Sequence, residues 1–159
     1  MKTNAVRFLE SRGAAFELLS YDVDEEDLSA AAVAAKTGQD LERVYKTLAL
    51  RGERAGVFLC VVPGGEELDL RKAAKASGEK AVELLPLKEL LGATGYVRGG
   101  CSPLATKKPL PVFVEEAAQL HDRISVSGGA RGLQIVIAPE SLLEALGAQG
   151  SEARYADLV

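Results

Sequence analysis

Apolar and polar positions along the chain alternate with two different periods, and the switches between them divide it into short elements. In residues 3–13, Ala5, Val6, Phe8 and Leu9 recur at helical spacing behind Thr3, a capping residue type, so a helix is predicted that stops at Gly13. A strand follows over Ala15–Tyr21. Beyond the acidic turn DVDEED, Ser29 is placed to cap an alanine-rich helix ending at Gly38, and a small turn from Gln39 to Arg43 opens onto a strand over Val44–Leu50. The turn RGERAG then leads into the unbroken apolar run Val57–Val62. A run with no polar alternation predicts a strand covered on both faces.

Pro63-Gly64-Gly65 closes that strand, and Asp69 is placed to cap the helix LRKAAKASG. A short strand is predicted over Lys80–Leu85, and Pro86 starts the helix PLKELLG. The stretch YVRGGCSPLATKK, residues 96–108, has neither period and reads as a loop. Three apolar strands follow at Val112–Val114, Arg123–Val126 and Leu133–Ala138, then a helix from Pro139 through Leu146 and a polar tail expected to fray. Strands and helices mix irregularly. The order predicts an α+β domain over residues 1–159 with a mixed, curved sheet, not a doubly wound nucleotide fold.

At 159 residues the chain suits one domain with a buried core, and 47% hydrophobic against 26% charged residues is ordinary for a globular protein. No segment approaches the apolar length of a membrane span, and the first residues mix charge with apolar positions unlike an export signal, so a cytoplasmic protein is expected. Cys60 and Cys101 lie far apart, with His121 as the single histidine, which signals neither a metal site nor a disulfide framework. The net charge is −4. Its distribution is uneven, because residues 70–111 hold eight cations (Arg71, Lys72, Lys75, Lys80, Lys88, Arg98, Lys107, Lys108) against three acids (Glu79, Glu83, Glu89). Such a segment either attracts a polyanion or forms a solvated lysine-rich surface.

Three segments carry candidate chemistry. Lys46 interrupts a strand pattern, and its ammonium either faces water or enters a concave sheet where it must meet an anion or carbonyl; Thr47 would face the opposite side. In the loop, Gly99 and Gly100 let a ligand approach the backbone and Pro103 stiffens the exit, so amides near Cys101 and Ser102 are placed to meet an oxygen, unless the stretch is a plain turn. Between two strands, Ser127-Gly128-Gly129-Ala130-Arg131-Gly132 is either a hairpin connection or a setting in which Arg131 holds a phosphate. Cys101 has no placed base, and the pattern Gly-x-Ser-x-Gly is missing at Ser102 and Ser127. Spacing alone names no reaction.

Taken together, VYKTL at 44–48, LDLRKAAKASG at 68–78, TGYVRGGCSPLATKKPLP at 94–111 and VSGGARGLQI at 126–135 resemble the YbaK/EbsC family of aminoacyl-tRNA deacylases, relatives of the editing domain in some bacterial prolyl-tRNA synthetases. The resemblance implies a barrel-like mixed sheet ringed by helices and a pocket for the aminoacylated terminal adenosine. It implies that Lys46 is the essential strand lysine and that Gly99, Gly100, Cys101, Ser102 and Pro103 form the loop beside the scissile ester. Tyr21 matches an aromatic pocket position, Thr47 and Gln134 fall among the substrate contacts, and Ser127, Gly128, Gly129 and Arg131 match the glycine-rich connection.

The loop most resembles the branch that clears cysteine from proline tRNA, in which the substrate's thiol attacks its own ester. No cofactor or metal is implied, and prolyl-tRNA synthetase is a further partner. Two positions depart from the branch: Gln134 stands where an aspartate is usual, and no aromatic residue stands near Leu28 and Ser29. Alanine or another small amino acid is therefore an alternative substrate. A noncatalytic tRNA- or nucleotide-binding module is the alternative from another class.

Overall fold

Strand β2 (Tyr45–Gly52) and strand β3 (Gly56–Pro63) form an antiparallel hairpin in full register, from Tyr45 opposite Pro63 to Gly52 opposite Gly56, in a computed structural model that describes residues 2–159. Around this hairpin the chain adds β4 (Val82–Leu84) beside β2, then β5 (Val112–Glu115) and β8 (Ala153–Ala156) in parallel beyond β3. The order is β4-β2-β3-β5-β8. A second, antiparallel sheet of order β1-β7-β6 joins β1 (Phe16–Ser20), β7 (Leu133–Ile137) and β6 (Ile124–Ser127). The sheets touch at one parallel bridge between Val44 and Ser125. The mixed, curved sheet expected from the sequence is thus two sheets hinged at a bridge, and among the described residues they do not close into a barrel.

Period-two alternation explains why the hairpin's strands are so apolar. Tyr45, Ala49, Leu59 and Val61 face the main core, where helix α1 (Asn4–Ser11) contributes Val6 and Leu9 and helix α5 (Pro139–Ala148) contributes Leu142 and Leu146. Leu50, Phe58, Cys60 and Val62 face a second core with Ala73 of helix α3 (Leu70–Ser77), Phe113 and Leu158. Both faces are dry. Each fully buried Leu or Phe contributes about 1.5–3 kcal/mol of transfer free energy.

The predicted caps operate. Thr3 Oγ1 accepts from Val6 N at 3.2 Å, Ser29 Oγ from Ala32 N at 3.2 Å to start helix α2 (Ala30–Thr37), and Asp69 Oδ1 from Arg71 N at 2.9 Å. Helix α4 (Leu87–Thr94) begins after Pro86 as expected. The chain's last residues differ from expectation. Instead of fraying, β8 extends the large sheet, Leu158 is fully buried, and its amide donates to Glu115 Oε1 at 2.9 Å. A four-residue edge strand with mostly half-exposed side chains has no alternation strong enough to stand out among polar neighbours. No helix among the described residues is long and apolar enough to cross a membrane.

Candidate functional site

From the Val44–Ser125 bridge the two sheets separate, and a cleft of about 560 Å³ fills the gap. Six consecutive residues of one edge, Val44 to Ala49, line it, together with Ser127 of β6 and Gln134 of β7. Consecutive residues alternate faces, so a cavity that borders all six must run along the strand's edge. β4 covers that edge only from Leu50 onward. The open length of β2 is therefore a wall of the site.

Lys46 is half-buried at this edge, and its Nζ donates to the Gly64 carbonyl at 3.3 Å. The sequence left open whether this side chain enters water or a cavity; Lys46 borders the cleft, as does Gly99. Gly64, beyond β3, is a residue that the sequence marked only as a strand end. A Cβ there would lie 2.0 Å from Ala30 Cβ, so helix α2 packs directly on a backbone that only glycine provides. Arg98 is the second cation at the cleft, and Leu28, Leu84, Leu85, Leu87 and Leu90 give it an apolar side. Arg98 was counted in the cationic segment and Leu28 marked as the place of a missing aromatic residue, whereas the other four leucines were not singled out beforehand. Of these, Leu84 and Leu87 are exposed apolar side chains, a signal that emerges only in three dimensions.

The glycine loop is held from several directions. Tyr96 Oη donates to the Leu104 carbonyl at 2.5 Å, Gln149 Oε1 accepts from Ala105 N at 2.8 Å, and Gln149 Nε2 donates to the Pro103 carbonyl at 3.1 Å. Gly99 has φ +82°, and a Cβ at Gly100 would come within 3.1 Å of Arg131 N and 3.2 Å of the Ala130 carbonyl carbon. The first glycine serves the turn and the second lets two backbones touch. Ser102 is fully buried with its Oγ accepting from Leu104 N at 3.1 Å. The amide of Gly100 donates to the Val97 carbonyl, whereas those of Cys101 and Ser102 have no hydrogen-bond partner among the described residues. Of the loop, Gly99 and Cys101 border the cleft while Gly100, Ser102 and Pro103 do not, so the Cys101 amide is the donor placed to meet an oxygen there.

Burial pushes the Cys101 thiol up to about 11, with a hydrogen bond to Thr94 opposing it, and the Cys60 thiol up to about 12. A thiol in that condition is neutral at physiological pH and is a poor nucleophile. His121 does not line the cleft. Burial also raises the Tyr45 phenol, so it remains a neutral donor; its oxygen and Thr47 Oγ1 are buried without a hydrogen-bond partner. Both residues border the cleft, but these two oxygens are sealed from it.

Other expected residues stand beside the cleft, not on its wall. Arg131 is engaged, its Nε donating to the Arg98 carbonyl at 2.8 Å and its Nη1 paired with Glu25 at 2.5 Å, so it ties the glycine loop to the acidic turn. Gly128 and Gly129 form the β6–β7 connection, where Gly128 N donates to the Leu133 carbonyl. Tyr21 packs against Val33, Ala34 and Val44, two of which line the cleft, but does not itself border it. The cationic segment does not form one stripe. Lys107 and Lys108 border a groove with Arg51 and Glu89, Lys75 borders another with Arg154, and Lys72 pairs with Asp157. No cluster of His, Cys, Asp and Glu able to hold a metal occurs among the described residues.

Comparison with known proteins agrees with this geometry. Residues 24–145 match the model of the aminoacyl-tRNA editing domain. The provisionally named Cys-tRNA(Pro)/Cys-tRNA(Cys) deacylase EbsC of Enterococcus faecalis is 45% identical over 151 residues, covering 95% of this chain and 92% of that protein. A proline–tRNA ligase of Ralstonia nicotianae is 31% identical over 108 residues, or 65% of this chain and 19% of the ligase. A crystal structure described provisionally as a trans-editing enzyme for prolyl-tRNA synthetase superposes with a TM-score of 0.82 at 26% identity, covering 99% of this chain and 98% of that one. The chain belongs to the aminoacyl-tRNA editing domain family.

Proposed function

We propose that this protein is a trans-editing aminoacyl-tRNA deacylase that works as one domain in the cytoplasm and removes a wrongly attached small amino acid, first of all cysteine from proline tRNA. The observation that carries the reading is a cleft bordered by Lys46, Arg98 and the unpartnered Cys101 amide, while the Cys101 thiol is pushed up to about 11. Such a site positions a bond and stabilises developing charge, and it leaves the attack to the substrate. In the cysteinyl case the substrate sulfur, having lost its proton, attacks the ester carbonyl carbon. The carbon–sulfur bond forms as the carbon–oxygen bond breaks, the ribose oxygen takes a proton, and a strained thiolactone leaves the tRNA.

In this reading the Cys101 amide receives the carbonyl oxygen as charge develops on it, and Ser102, buried behind it, holds the loop through Leu104 N. Lys46 and Arg98 meet the terminal nucleotide's phosphate or hydroxyl oxygens, and the leucine side accommodates apolar surface. The similarity to the E. faecalis deacylase, to part of a proline–tRNA ligase and to a synthetase-linked trans-editing structure supports tRNA as substrate and prolyl-tRNA synthetase as partner.

The test is a panel of tRNAs charged with labelled cysteine, alanine, serine or proline, scored for release. Wild type releases cysteine fastest from proline tRNA, Lys46→Ala is at least about a hundredfold slower with an unchanged unfolding transition, and Cys101→Ser stays within a few fold of wild type. Tight tRNA binding without release of any amino acid refutes the deacylase reading in favour of a binding module. A dead Cys101→Ser protein that is still folded restores the thiol as nucleophile.

A further inference from the structure

Gln134 sits on the cleft wall at the end of a directed chain of hydrogen bonds. Thr37 Oγ1 donates to the Val33 carbonyl at 2.7 Å, so toward Gln39 it acts as an acceptor, and Gln39 Nε2 donates to it at 2.8 Å. Gln39 Nε2 also reaches Ser125 Oγ at 3.3 Å, which leaves the Ser125 hydroxyl proton for Gln134 Oε1 at 2.8 Å. Each link has one polarity. The chain starts at a helix carbonyl that can only accept, and at its far end the acceptor oxygen of Gln134 is occupied.

Gln134 Nε2 is the remaining half of that amide. It has no hydrogen-bond partner among the described residues and is not among the sealed, unpartnered atoms, so it opens on the cleft that Gln134 lines. The residue is only 5% exposed, and a buried amide held by one end does not turn freely. Strand pairing holds the backbone as well, with Gln134 opposite Ser127 on one side and Leu19 on the other.

We propose that Gln134 is a specificity-determining residue whose amide N–H, oriented through Ser125 and Gln39, donates to an acceptor atom of the bound aminoacyl group. This rests on the deacylase reading above. The acceptor is either the ester carbonyl oxygen or the side-chain heteroatom; a carboxylate at this position would instead select a donor, such as an ammonium or a thiol proton. An ammonium has no place beside a fixed donor, so the substrate's amino group lies elsewhere in the cleft. Ser125 is a positioning residue: fully buried, it acts on the substrate only through Gln134.

The experiment compares Gln134→Glu, which keeps an oxygen for Ser125 but presents only acceptors, with Gln134→Met, which keeps the volume and presents neither. Release of cysteine from charged proline tRNA is followed alongside binding of 3′-cysteinylamino- and 3′-alanylamino-3′-deoxyadenosine, whose amide linkage resists cleavage. Both variants are expected to fold and to lose at least about tenfold in kcat/KM and in affinity for the cysteinyl analogue. Loss on both analogues identifies the carbonyl oxygen; loss on the cysteinyl analogue alone identifies the sulfur.

Ser125→Ala should weaken the wild-type protein severalfold and have no further effect in the Gln134→Met background, a non-additivity that a purely structural serine does not produce. A Gln134→Glu protein that equals or exceeds wild type in affinity overturns the proposal, as does an additive effect of Ser125→Ala. If wild type binds the analogue and Gln134→Met weakens it while no charged tRNA loses its amino acid, the deacylase reading fails and the Gln134 assignment stands. Wild type that binds neither analogue sinks both.

Discussion

Gly64→Ala adds one methyl group at the contact between the end of β3 and the start of α2. That methyl would stand 2.0 Å from Ala30 Cβ and 3.0 Å from the Val44 carbonyl oxygen. Carbon atoms settle at about 3.5–4.0 Å, so helix and strand must part by roughly 1.5–2 Å. The backbone at Gly64 lies outside the left-handed region, which makes the penalty one of space and not of dihedral strain. Overpacking of this kind costs about 1–3 kcal/mol. For a chain of this length each kcal/mol corresponds to about 2–4 °C, so the melting temperature should fall by roughly 2–12 °C.

The same movement carries the Gly64 carbonyl away from Lys46 Nζ, its partner at 3.3 Å, and catalysis should fall along with stability. Thermal unfolding and cysteine release, measured on the same preparations, give both numbers. The structure also specifies the cure. Ala30→Gly removes the opposing methyl and should restore most of the lost stability in the double variant, though not all, because the Val44 oxygen stays at 3.0 Å. Ala30→Gly by itself should cost no more than about 1 kcal/mol as a helix-propensity effect. A Gly64→Ala protein as stable as wild type, or one that Ala30→Gly fails to improve, would falsify the packing argument.

The same reasoning reaches the ends of the fold. Leu158→Ala empties a fully buried site in the second core and should cost about 2–5 kcal/mol in denaturant unfolding, whereas a frayed tail would lose almost nothing. Burial raises the Cys60 and Cys101 thiols from 9.0 to about 12 and about 11. Because these folded values exceed the unfolded ones, stability should be level below about pH 9 and decline as the pH climbs through 9–11. Tyr96, raised to about 12 chiefly by burial, extends that decline. Cys60→Ala should flatten the alkaline slope measured by pH-dependent melting, even while lowering stability at neutral pH; a slope that does not change contradicts the assignment.

Local chemistry made much of this protein legible in one dimension. Thr3, Ser29 and Asp69 announced three helices because a capping side chain needs only its own next turn, and each cap forms as expected. The run Val57–Val62 announced a strand covered on both faces, and two separate cores cover it. The glycine loop and Lys46 were recognisable as a family pattern before their positions in space were known. What carried no local signal was read wrongly or missed. β8 is an edge strand held by Leu158 at the far end, and its order comes from β5, Glu115 and Asp69, none of which is near it in sequence.

Sequence by itself determined the α+β class, nearly every element and the residue types gathered at the cleft, since periodicity, caps and turn glycines act within a few residues. Only the tertiary structure decided that the sheets part beside Val44 and Ser125, that Arg131 is tied to Glu25 while Arg98 borders the cleft, and that the Gln134 amide turns its nitrogen inward. The physical reason is that a hydrogen bond's direction, like a contact between distant backbones, depends on which groups the folded chain brings together, and most of those partners lie far along the sequence.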